Sequence, residues 1–153
     1  MTISEKVKEA GLFLPIISKP GGNYVSLNIR GNIAYIAIQF PKNGDNWNYK
    51  GRIGKDLTSE EGYKAMQLCA LNVLAHIEKS ISVDRLVGIN HVDAYYQASE
   101  EWDDAPKLVD GASDLFVKIL GDKGIHSRAI FGVEKLPRNF SVGITCTLTL
   151  KEK

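Results

Sequence analysis

Two amphipathic helix patterns set among alternating strand-like runs constrain this chain more than any other feature. The first opens at Thr58-Ser59-Glu60-Glu61, a capping box in which a hydroxyl and a carboxylate each satisfy a backbone donor of the first turn. Met66, Cys69, Ala70, Val73, Leu74 and Ile77 then recur at helical spacing to about residue 79. The second runs over about 106–121, with Pro106 in its first turn, Leu108, Val109, Ala112, Leu115, Phe116 and Ile119 on one stripe, and Gly121 as a stop. Stripes this wide need a sheet to lie on.

The remaining runs supply that sheet. Tyr24 to Arg30 and Ile33 to Phe40, separated by Gly31-Asn32, read as a hairpin with Ile36 and Ile38 on one side of its second strand and Tyr35, Ala37 and Gln39 on the other. Arg85 to Tyr95, His126 to Glu134 and Ser141 to Leu150 are three further strands, the last placing Val142, Ile144, Cys146, Leu148 and Leu150 on one face. Residues 4–10 form a short helix with Ser4 as N-cap and Gly11 as stop, inside an N-terminal extension of residues 1–20. The polar stretch from Pro41 to Gly54 reads as a long surface loop. The order implies one α+β domain over residues 1–153, a mixed sheet with two helices on a single face. The other face is left for self-association, so a homo-oligomer is expected.

Composition narrows the function classes. Apolar residues at 44% and charged residues at 24% are those of a globular chain, and a net charge of +1 without a basic run argues against nucleic acid as a partner. No run reaches the ~20 apolar residues of a membrane span and no start resembles a secretion signal, so a cytoplasmic location is expected. Cys69 and Cys146 sit in an apolar helix pattern and an alternating strand, as small buried hydrophobes. Neither glycine-rich phosphate motif nor Gly-x-Ser-x-Gly elbow occurs. His76, His91 and His126 are not spaced as metal ligands, so neither metal nor cofactor is implied. The acidic Glu100-Glu101-Trp102-Asp103-Asp104 run reads as a solvated loop ahead of a helix N-terminus.

The strand from His126 holds the chemistry of most interest. Alternation sends Ala129, Phe131 and Val133 to a core face and Arg128, Ile130, Gly132 and Glu134 to the other, together with Tyr24, Tyr35, Ala37, Gly143 and Thr145. A guanidinium there can grip a carboxylate or phosphate at two points, or pair with a local acid at the sheet rim. His126 is either a base beside it or a half-exposed strand-end residue.

Gly31-Asn32, Gln39, Glu60-Glu61-Gly62-Tyr63, Asn72-Val73-Leu74, Asp110-Gly111-Ala112-Ser113-Asp114-Leu115, Ser127-Arg128 and Leu136-Pro137 together resemble the RidA family, also called YjgF-like or L-PSP-type proteins, over about residues 20–150. The resemblance implies a chorismate-mutase-like fold assembled as a homotrimer, with clefts between subunits. The helix motif is similar to a RidA-like branch distinct from the well-studied enamine and imine deaminases. In the deaminases an arginine at the place of Arg128 holds the substrate carboxylate, and a tyrosine at that of Tyr24 lines the cleft. This chain departs from the pattern by carrying Ala37-Ile38 for a Ser-Gly pair, Ile130 for a cysteine, and Gly143 for the glutamate that orients the attacking water. The expectation is a protein that binds a small carboxylate metabolite with weak or absent deaminase activity. A divergent hydrolase using His126 or Thr145 as water-positioner is the alternative, and an endoribonuclease or translation inhibitor is a third.

Overall fold

The computed structural model describes all residues, 1–153. Its elements run α1 (Ile3–Glu9), β1 (Leu27–Arg30), β2 (Ile33–Gln39), β3 (Lys42–Asn43), β4 (Asn46–Trp47), α2 (Ser59–Ser80), β5 (Leu86–Tyr96), α3 (Ala105–Leu120), β6 (Ser127–Gly132) and β7 (Val142–Leu150). The five long strands form one mixed sheet in the order β1-β2-β7-β5-β6, antiparallel except for β5 and β6. A parallel pair needs a crossover connection, and α3 supplies it.

Both long helices lie on one face. Val92 and Ala94 of β5, Ile144, Cys146 and Leu148 of β7, and Ala34 and Ile36 of β2 point at them and are buried with Met66, Cys69, Leu74, Leu108, Leu115 and Phe116. The capping box at Thr58 and Glu61 is formed, each side chain taking the other's backbone N–H. Two glycines set the spacing, since a Cβ on Gly111 would lie 2.2 Å from the Tyr63 carbonyl and one on Gly124 2.1 Å from that of Phe116. Cys69 and Cys146 are unbridged, and burial pushes both thiols up.

Several expectations are revised. The N-terminal helix is capped by Thr2, two residues before the expected Ser4, and buries Ile3 and Val7 in the core, so three helices contribute to the layer. The stretch from Pro41 contains the small β3–β4 hairpin. In β2, Ile36 pairs with Cys146 but Gln39 pairs with Ile144, a one-residue shift that breaks the alternation. The faces of β6 are inverted: Arg128 pairs with Val92 and Ile130 with Ala94, both core residues, so these side chains turn toward α3. Phe131, expected in the core, stacks on Tyr95 on the open face at a ring distance of 5.3 Å and is 45% exposed.

Candidate functional site

The open face near β1 and β2 carries a cleft of about 510 Å3 lined by Tyr24, Ala37, Ile38, Phe40, Trp47 and Arg138 among others. Tyr24 precedes β1, and its hydroxyl accepts the Gly21 N–H at 3.2 Å. An aromatic wall follows, with Phe40 stacked on Phe140 at 4.7 Å and Trp47 edge-on to Phe140 at 5.7 Å. Gly143 lies beneath it. A Cβ at position 143 would meet Ile38 Cδ1 at 2.9 Å and a Phe40 ring carbon at 3.0 Å. The register shift in β2 turns Ile38 onto Gly143, and the alkyl chain takes the room a side chain there would need.

Arg138 lines the same cleft on a positive-φ backbone (φ 54°), with Asn139 beside it at φ 61°. A left-handed arginine is sterically disfavoured and persists only where its surroundings hold it. Gln97 does so from below. Fully buried, its amide donates to Gly51 O and Asn139 Oδ1, each at 2.9 Å, and its Oε1 accepts the Leu136 N–H at 2.7 Å. The Arg138 guanidinium is thereby held 5.0 Å from the Trp47 ring centre, and Lys50 Nζ lies 5.4 Å from the same ring.

Tyr24, Ala37, Ile38 and Gly143 therefore come together, while Arg128, Ile130 and His126 stand at the opposite sheet edge. Four strand spacings separate β1 from β6, roughly 19 Å. There Arg128 is already occupied. Its Nη1 donates to Asp110 Oδ1 at 2.8 Å and Ser113 Oγ at 3.1 Å, and its Nη2 to Pro106 O at 3.2 Å. The pairing with a local acid at the sheet rim is thus present. His126 joins the same network, with Nδ1 2.6 Å from Gly124 O and Nε2 2.9 Å from Ser113 Oγ. A carbonyl only accepts, so Nδ1 carries a proton.

Thr145 lies on the open face, paired with Asp93. Beside it His91 bonds Ser127 Oγ through Nδ1 at 2.7 Å and Asp93 Oδ1 through Nε2 at 2.8 Å. The connectivity is that of a nucleophile, base and acid, and it lies on the open face at the edge strand β6, away from the residues that line the Tyr24 cleft.

Residues 4–148 match the family model for YjgF/chorismate mutase-like, putative endoribonuclease proteins. The chain belongs to this family. A crystal structure from Shewanella oneidensis, described as a putative endoribonuclease, is 31% identical, covers 98% of this chain and 100% of its own, and superposes with a TM-score of 0.93. The protein Atu1372 of Agrobacterium tumefaciens, described as of unknown function, is 28% identical with a TM-score of 0.90, over 97% of this chain and 92% of its own. Protein TCP17 of Trypanosoma cruzi is 28% identical over 150 residues, 97% of this chain and 94% of its own. The fold expected of a YjgF-like chain is thus present. No helix of this family member is long and apolar enough to cross a membrane.

Sequence reasoning missed Phe40, Trp47, Arg138 and Phe140. Asn139, a residue that tolerates left-handed backbone, was the one local signal that the Leu136-Pro137 turn aims a side chain.

Proposed function

We propose that this YjgF-like protein binds a small carboxylate-bearing metabolite in the Tyr24 cleft, as a homotrimer, with weak or absent imine and enamine deaminase activity. The observation that carries the reading is the filled position at Gly143. Ile38 and Gly143, two of the departures from the deaminase pattern, act as one change: the larger residue fits only because the other has no side chain. The cleft keeps a tyrosine, an aromatic wall and the cations Lys19, Lys42 and Arg138, and its floor is alkyl. Imine hydrolysis needs a positioned water and a proton relay, and alkyl groups provide neither. His126 and Thr145 do not border the cleft, which weighs against their serving as substitutes.

Within the cleft Arg138 is the guanidinium free to take a carboxylate, because Arg128 holds Asp110. Self-association is supported by two unpaired sheet edges, β1 and β6, on opposite sides. A contact of one edge with the other is heterologous and generates a closed ring when its rotation fits. In a ring of three, the Arg128 edge of one copy stands against the Tyr24 cleft of the next.

Thermal shifts with small keto, imino and hydroxy acids, with light scattering for mass, test this. The expected outcome is a trimer whose melting temperature rises with at least one acid in wild type and in Arg128→Ala, but not in Arg138→Ala. A folded monomer, or enamine turnover comparable to that of true deaminases, overturns it. Loss of the shift in Arg128→Ala alone moves the anchor to the neighbouring copy.

A further inference from the structure

Behind Trp47 and Arg138 opens a second cleft of about 500 Å3, lined by Trp47, Lys50, Arg52, Gln97, Lys135 and Arg138 among others. Four of these side chains are cations. The chain's ion pairs are Arg52–Glu134, Lys64–Glu60, His91–Asp93 and Arg128–Asp110, so Lys50, Lys135 and Arg138 meet no carboxylate. Even Arg52 is weakly compensated, because its Glu134 partner is 3.8 Å away with a side chain 98% exposed. In a chain of net charge +1 this concavity thus gathers four cations and no lining carboxylate, and like charges repel unless an anion sits among them.

The two arginines are also held in position. Arg52 donates to Ala98 O at 3.2 Å and Glu134 O at 2.6 Å, which fixes its guanidinium. Gln97 ties Gly51, Leu136 and Asn139 into one support, and Arg138 is kept left-handed. Arginines ordered in advance lose little freedom on binding, and several donors around one concavity suit a tetrahedral dianion better than a planar carboxylate.

We infer that this second cleft is a phosphate-binding subsite, and that the ligand is a small phosphorylated carboxylic acid bridging the two clefts across Trp47 and Arg138, their shared wall. The carboxylate end rests on the reading of the Tyr24 cleft given above. The phosphate end stands on Lys50, Arg52 and Lys135 alone.

The test uses three small probes at low ionic strength: glycerate, glycerol 3-phosphate and 3-phosphoglycerate, titrated against wild type and the Lys50→Ala/Lys135→Ala variant. Both lysines are exposed and make no ion pair, so the variant folds, with a matching circular-dichroism melt as the check. In wild type, 3-phosphoglycerate is expected to bind at least tenfold more tightly than glycerate, and the variant loses that advantage while glycerate binds as before. Equal affinity for glycerate and 3-phosphoglycerate in wild type overturns the subsite and leaves the carboxylate reading standing. Glycerol 3-phosphate binding that needs the lysines, with no glycerate binding, supports the subsite and overturns the carboxylate reading instead. A single-stranded RNA oligonucleotide that binds more tightly than 3-phosphoglycerate, and loses its affinity in the variant, overturns the small-ligand inference in favour of nucleic acid.

Discussion

Arg128 and Arg138 sit ten residues apart at opposite ends of one short segment and meet opposite fates. Arg128 turns toward α3, where the chain provides a carboxylate, a hydroxyl and a carbonyl, and its side chain is only 25% exposed. Arg138 turns outward on a strained backbone and is given an aromatic ring and other cations. A cation satisfied within its own chain contributes to stability and has little left for a ligand. A cation held in place but unsatisfied is disposed the other way, and this kind of strain collects at binding sites.

The strongest test of the contrast is at the floor of the outward cleft. Gly143→Glu restores the carboxylate of the deaminase pattern, but its Cβ would run into Ile38 and Phe40 at a buried position. Overpacking and a buried unpaired charge together are expected to destabilise by about 3 kcal/mol or more, read by urea unfolding, with no gain in enamine turnover. Pairing it with Ile38→Gly is expected to recover part of the stability. Recovery of turnover as well would show that the floor alone had silenced the chemistry.

Next in size is the inward cluster. Asp110→Ala leaves the Arg128 guanidinium partly buried with only Ser113 and Pro106 O, and a loss of about 1–2 kcal/mol is expected. Adding Arg128→Ala should cost less than the sum of the two single changes, with a coupling of about 1 kcal/mol by double-mutant cycle. Additive effects would mean that the pair contributes no mutual stabilisation, and the contrast with Arg138 would fail.

The outward arginine is expected to behave in reverse. Arg138→Gly removes the left-handed strain, at about 1 kcal/mol, and adds unfolded-state freedom of slightly smaller size, so stability should rise by up to about 0.5 kcal/mol. Ligand-induced thermal shifts should vanish in the same variant. A large fall in stability would make Arg138 a structural residue like Arg128.

How far the sequence was legible follows from the same two arginines. The helices and central strands were readable because burial on one side imposes a period, and the Thr58 cap marked its helix correctly. The edge strand β6 is apolar on both sides, Ile130 with Ala129 and Phe131, so alternation alone could not say which face was the core. Its pairing with Val92 and Ala94 decides that, and such a register lies in the tertiary structure. The shift in β2 has no glycine to announce it, so the filling of position 143 by Ile38 was hidden although both residues had been singled out. Arg138 was invisible for another reason: its orientation depends on Gln97, a residue 41 positions earlier that reads as the start of an ordinary loop.

The smallest expected effect concerns charge rather than packing. Unpaired cations crowded around the second cleft repel one another in the empty protein, and salt within a Debye length of about 10 Å at 0.1 M screens exposed charges. Raising ionic strength from 10 to 200 mM with a weakly bound salt such as sodium chloride should therefore stabilise wild type by about 0.3 kcal/mol. The gain should be absent in Lys50→Ala/Lys135→Ala, which removes the repulsion at low salt instead. Salt acts on the Arg128–Asp110 pair with the opposite sign, since screening weakens attraction. Comparing the salt dependence of Asp110→Ala with that of the double lysine variant thus separates the compensated cation from the uncompensated ones without any ligand. Identical salt responses in the two variants would mean that both regions carry balanced charge, and the case for an anion in the second cleft would lose its electrostatic ground.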